Sequence, residues 1–98
     1  MLVKIHKSYR EIVAICDKEL LGKEFKEENK KLEIKENFFN GEEISEEKVV
    51  ELMKLKGVDD ATFNIVGEKS VNLAVKTGLV NEKAIGKING VPFALVLL

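Results

Sequence analysis

The chain has one cysteine, one histidine, one proline and one arginine, and it has no tryptophan or glutamine at all. A single Cys16 excludes an intramolecular disulfide, a zinc ribbon or finger, and a Cys-x-x-Cys redox pair. A single His6 excludes a multi-histidine metal site, so neither a metal nor a cofactor is expected. Long apolar runs are missing too. The longest, Val91–Leu98, is eight residues interrupted by Pro92, well short of the roughly 20 that a membrane-spanning helix needs. No basic, apolar leader opens the chain, and the expectation is a cytoplasmic protein with no membrane partner.

What is there is globular. Ninety-eight residues, 45% apolar and 34% charged, suit a single domain over residues 1–98. The net charge of −1 is unevenly spread: residues 1–10 carry Lys4, Lys7 and Arg10 with no acid, whereas residues 11–60 hold fifteen acids against nine lysines. That balance argues against a general nucleic-acid binder, whose footprint is an excess of Lys and Arg on one face. It leaves room for a small basic patch. Fifteen lysines and fourteen glutamates resemble the surfaces of hyperthermophile proteins, although seven asparagines weigh the other way.

Periodicity places the elements. Leu2–Lys7 and Glu11–Cys16 read as a hairpin around Ser8–Arg10, with facing positions summing to 18. Val3, Ile5, Val13 and Ile15 then share a core face, and Lys4, His6, Ile12, Ala14 and Cys16 share a partly covered one. Asp17–Gly22 reads as a turn, the charged stretch Lys23–Lys31 as an outward loop, and Leu32–Ile34 as a short strand. Asn37–Gly41 reads as a turn carrying Phe38 and Phe39. Ser45 caps a helix over Glu46–Lys56 that Gly57 ends. Ala61–Val66 is a strand, Gly67–Thr77 a second helix stopped by Gly78, and the path onward to Ile88 fits a right-handed crossover with parallel pairing. Asn89-Gly90 predicts a type I′ hairpin between Ala84–Ile88 and Val91–Leu98, setting Phe93 over Gly86. Pro92 marks the last strand as an edge, open to a second subunit. The expected fold is a compact α+β domain in the order β-β-β-α-β-α-β-β, its mixed sheet bearing N- and C-terminal hairpins and two helices.

Reactive constellations are few. Cys16 and Asp17 end a strand, but His6 lies about 13 Å away along the hairpin, too far for a thiol–imidazole dyad. Asn64-Ile65-Val66-Gly67-Glu68 sits at a strand-to-helix change, where free amides can bind an anion. The bland alternative is that Asn64 caps the helix and Gly67 turns the chain. Cys16, Asp17, Asn64, Gly67 and Glu68 are therefore the candidate ligand or partner junction. Phe38-Phe39 is a candidate stacking pair for unpaired bases. Lys4, Lys7, Arg10, Lys23 and Lys69 are candidate phosphate contacts.

Taken together, Cys16-Asp17 with Glu19-Leu20-Leu21-Gly22-Lys23, Phe38-Phe39 before Gly41, Asn64–Glu68 with Val71, Ala74 and Gly78-Leu79-Val80, and Ile88–Ala94 resemble a small archaeal family known as domain of unknown function 424. The resemblance covers nearly the whole chain. It implies an archaeal, cytoplasmic, stand-alone domain and brings no activity, hence no catalytic residue. Histidine is common in that family where this chain has Phe93, so an acid–base role there is not expected. Three functions are compatible with the residues. The leading one is a non-enzymatic interaction module for RNA or a protein of the translation apparatus. The others are a small enzyme or ligand-binding domain at the Cys16/Asp17 and Asn64–Glu68 junction, and a structural homo-oligomer joined through Val91–Leu98.

Overall fold

The structure is a computed structural model that describes residues 1–97. Eight strands and three helices form an α+β domain. β1 (Leu2–His6) and β2 (Ile12–Cys16) make the expected hairpin, with Leu2 opposite Cys16 and His6 opposite Ile12. A single 3-10 turn at Lys18–Leu20 leads to β3 (Glu24–Glu27) and β4 (Lys30–Glu33). Then follow a one-turn helix α1 (Glu36–Phe39), a two-residue strand β5 (Glu42–Glu43) and α2 (Glu46–Val58). β6 (Thr62–Val66), α3 (Glu68–Lys76), β7 (Gly86–Ile88) and β8 (Val91–Val96) complete the chain.

Six strands pair in the order β5-β1-β2-β6-β8-β7, and β3-β4 form a separate two-stranded ribbon. Only β2 and β6 run parallel, joined by the long excursion through α2. This corrects the expected crossover: β6 and β7 run the same way but do not touch, because β8 lies between them and pairs antiparallel with both. The last strand lies between β6 and β7 but is paired on both sides only at Phe93: Val91 and Pro92 pair with β7 alone and residues 94–96 with β6 alone, while Leu98 lies outside the described residues. Pro92 is tolerated because the ladder to β6 begins one residue later, at Phe93. The expected contact through Val91–Leu98 keeps an open edge among the described residues, since on the side away from β6 residues 94–96 pair with no strand. The type I′ turn is as expected, with Asn89 and Gly90 at φ 51° and 80° and Phe93 lying against Gly86, where a Cβ would strike its ring.

The sheet has two unlike faces. On one, Val13, Ile15, Phe63, Ile65 and Ala94 pack against Val49 and Met53 of α2 and Val71, Leu73 and Ala74 of α3. Full burial of such side chains contributes about 1.5–3 kcal/mol each. On the other, Leu2, Ala14, Cys16 and Val66 are covered by Ile34 and Phe39, with Phe25, Leu32 and Phe38 packed around them. That cover is the ribbon read from the sequence as an outward loop. A ribbon needs few apolar residues to pack on one side: Phe25 faces Leu32 across it, while Lys31 bridges Glu24 and Glu33. Gly41 lets α1 return to the sheet, since a Cβ there would collide with the Val3 carbonyl.

Of the two ends of α2, one differs from expectation. Ser45 does cap α2, accepting from Lys48 N at 3.3 Å. Gly57 does not end it: the helix runs on to Val58, and the left-handed residue is Asp60 at φ 59°, a residue type that tolerates this region. No described helix is long and apolar enough to cross a membrane.

Candidate functional site

The junction expected at Cys16, Asp17, Asn64, Gly67 and Glu68 is split by the fold. Asp17 is buried and faces the first turn of α3, where its carboxylate accepts from Lys69 N at 3.1 Å, Ser70 N at 2.9 Å and Ser70 Oγ at 2.7 Å. It supplies the negative charge that a helix N-terminus attracts. The amides that would hold a phosphate are thus occupied from within the chain. Gly67 stands at φ 111° because the carboxylate lies where its Cβ would be. The helix cap expected of Asn64 belongs to Asp17, some fifty residues earlier in sequence.

Cys16 is fully buried on the ribbon-covered face, and desolvation, aided by the neighbouring Asp17 charge, pushes its thiol up to about 11. A thiol kept protonated is a poor nucleophile. Glu68 is exposed and meets Asp17 and Glu19 only at a notch of about 150 Å³, which repels anions. Among the described residues no cluster of His, Cys, Asp or Glu is arranged to hold a metal ion. A shallow depression of about 660 Å³ between α3 and β7 carries Glu68, Glu82 and Lys87 and has no aromatic ring.

Asn64 is in mid-strand, paired with Ala14 on one side and Leu95 on the other. These positions alternate toward the ribbon-covered face, but the ribbon and α1 cover only the part near Cys16. Beyond their edge a groove of about 600 Å³ opens, lined by Asn64, Leu95, Phe38, His6, Lys35, Leu32 and neighbouring residues. That volume is within the roughly 300–1,000 Å³ of ligand pockets. Its apolar floor carries a few polar groups at the margin, the usual make-up of a binding site.

The wall is built from α1 and the end of β1. The His6 ring stacks on Phe38 with centroids 4.6 Å apart and an interplanar angle of 18°. Its Nε2–H donates to the Phe38 carbonyl at 2.9 Å, leaving Nδ1 as the acceptor of the neutral ring. Phe38 meets Phe39 edge-on at 5.1 Å. Phe39 belongs to the core and Phe38 is half-exposed, so the aromatic pair divides between packing and surface.

Charge at the rim is positive. Lys4 Nζ donates to the Asn37 carbonyl at 2.8 Å, which leaves its charge uncompensated, and Lys35 lines the groove without an ion pair among the described residues. Glu33 also lines it, but Lys31 holds its carboxylate at 3.0 Å and keeps it below the usual carboxylate range. Lys7 and Arg10 sit in the turn just beyond His6. Lys23 and Lys69 belong to the opposite, Asp17 end of the sheet and do not join this patch. The composite of His6, Phe38 and Asn64 was invisible in sequence because its parts come from three separated segments. Only the Phe38-Phe39 pair hinted at it.

The chain is a mixed-sheet α+β domain with an aromatic groove, Lys35 at its margin, on a half-open sheet face. Residues 6–98 match the profile of the family described as protein of unknown function DUF424, and the chain belongs to that family. It is similar to the crystal structure of an uncharacterized conserved protein from Methanopyrus kandleri, with 28% identity and a TM-score of 0.81 over 98% of this chain and 90% of that one. No curated protein matches it.

Proposed function

We propose that this protein is a non-enzymatic binding module whose working surface is the open sheet face, and that it takes an unpaired RNA segment, free or displayed on a ribonucleoprotein of the translation apparatus. The observation that carries this reading is the His6–Phe38 stack at a groove rimmed by Lys4 and Lys35. Single-stranded nucleic acids bind where aromatic faces stack bases and cations track the backbone. The net charge of −1 limits the interaction to this patch, so binding is local and selective. The Lys- and Glu-rich composition and the archaeal relative support a heat-adapted archaeal cytoplasm as its setting. The competing enzyme reading loses its groups: the Cys16 thiol is buried and protonated, the Asp17 carboxylate is spent on the α3 cap, and Asn64 is elsewhere.

The test is fluorescence anisotropy with a labelled single-stranded RNA. Phe38→Ala should weaken binding about tenfold, as expected for loss of one stacked base. Contacts from Lys4, Lys7 and Lys35 should make affinity fall roughly 20-fold between about 50 and 200 mM salt. No binding at the lower salt, or binding indifferent to both changes, would overturn the reading.

A further inference from the structure

The polar group deepest in the groove is the Asn64 carboxamide. It is half-buried in the middle of β6, flanked by the fully buried Ala14 and the exposed Leu95, and it takes no hydrogen-bond partner among the described residues. Of the other polar groups on that wall, His6 Nε2–H and Lys4 Nζ are satisfied by carbonyls of α1, while Lys35 and Asn37 are exposed at its margin. An amide in the middle of a strand, without a partner and opening on an aromatic stack, is placed to pair with something that enters.

We propose that Asn64 reads the edge of a base held in the groove, and that the base is adenine. This rests on the RNA-binding reading above. A carboxamide presents one acceptor and two donors side by side, which complements a base edge offering a donor beside an acceptor. Adenine offers that pair twice, as N6–H with N7 and as N6–H with N1, and Asn with adenine N6 and N7 is the common bidentate contact. On the major-groove edge adenine alone offers it, since guanine presents two acceptors there, cytosine one donor and uracil one acceptor. A purine also overlaps an imidazole–phenyl stack more fully than a pyrimidine does. Leu95 and Leu32 supply apolar contact around the ring, and Lys4 and Lys35 lie at the rim for the flanking phosphates.

The experiment compares nine-nucleotide oligomers of A, U and C on the wild-type chain and on Asn64→Leu, with Asn64→Thr as a β-branched second variant suited to the strand. Thermal unfolding of each variant checks that the fold is kept. The wild type should bind the A oligomer about tenfold more tightly than U or C. Both variants should lose that preference and bind the A oligomer no more tightly than U or C. A structural role for Asn64 would weaken all three alike and would sink the proposal, as would an A preference that survives both substitutions. Binding of all oligomers with no preference in the wild type would overturn the adenine assignment and leave RNA binding standing. If none of the oligomers binds, both fall.

Discussion

The two faces of the six-stranded sheet have the same strands and nearly opposite fates. Toward α2 and α3, Phe63 and Ile65 of β6 are wholly enclosed; on the reverse side of the same strand, Asn64 is half-exposed and its neighbour Leu95 is 57% exposed. Two full-length helices cover one face, whereas a ribbon of two four-residue strands and one helical turn cover only part of the other. The closed face accounts for stability. The half-open face retains aromatic and polar groups that folding has not used, and that residue is what a ligand can bind.

If the division holds, substitutions on the closed face should cost stability and those on the open face should not. Phe63→Ala should be the most damaging, at about 4 kcal/mol by denaturant titration, from lost burial plus the cavity left behind. Asp17→Ala should follow at about 3 kcal/mol, since it strips the α3 cap and leaves two amides and a hydroxyl unpaired in the interior. Asp17→Asn keeps an acceptor oxygen and should lose about half as much. A null effect of Asp17→Ala would mean the junction is free for a ligand after all.

Cys16 links the faces to pH. Its thiol titrates near 11 in the fold against 9.0 in an unperturbed chain. The stabilisation is complete below pH 9, where both states keep the proton, and is lost as pH rises from 9 through 11, because the unfolded chain alone releases it. The loss amounts to about 3 kcal/mol. Cys16→Ala should flatten the stability profile in that alkaline window relative to the wild type; parallel profiles would refute the assignment. Ser45→Ala should cost about 1 kcal/mol by removing the α2 cap. Smallest of all, Leu95→Ala should change stability by less than about 0.5 kcal/mol while weakening RNA binding. A large loss of stability would show that Leu95 is core and that the faces do not differ as described.

Local signals in the sequence were read reliably where neighbouring residues decide the outcome. The β1–β2 register, the Ser45 cap, the Asn89-Gly90 turn and the cover of Gly86 by Phe93 all depend on alternation, capping or turn chemistry within a few positions. Misreadings arose where a distant segment made the choice. Charged residues from Lys23 to Lys31 suggested a loop because only Phe25 and Leu32 announce a buried side, and it is the sheet beneath them that makes the ribbon worth forming. Pro92, which lacks an N–H, suggests an edge on the outer side of its strand, and this holds only locally: β6 leaves Val91 and Pro92 unpaired but pairs with the strand from Phe93 onward.

The sequence by itself determined the α+β class, the two longer helices, the N- and C-terminal hairpins and the separation of Cys16 from His6, since those follow from periodicity, capping and turn chemistry. Tertiary structure alone decided the strand order, the occupation of the α3 N-terminus by Asp17, and the meeting of His6, Phe38 and Asn64 in one groove. Periodicity tells a side chain which face it occupies. What covers that face is set by segments fifty residues away, through contacts that no local pattern encodes.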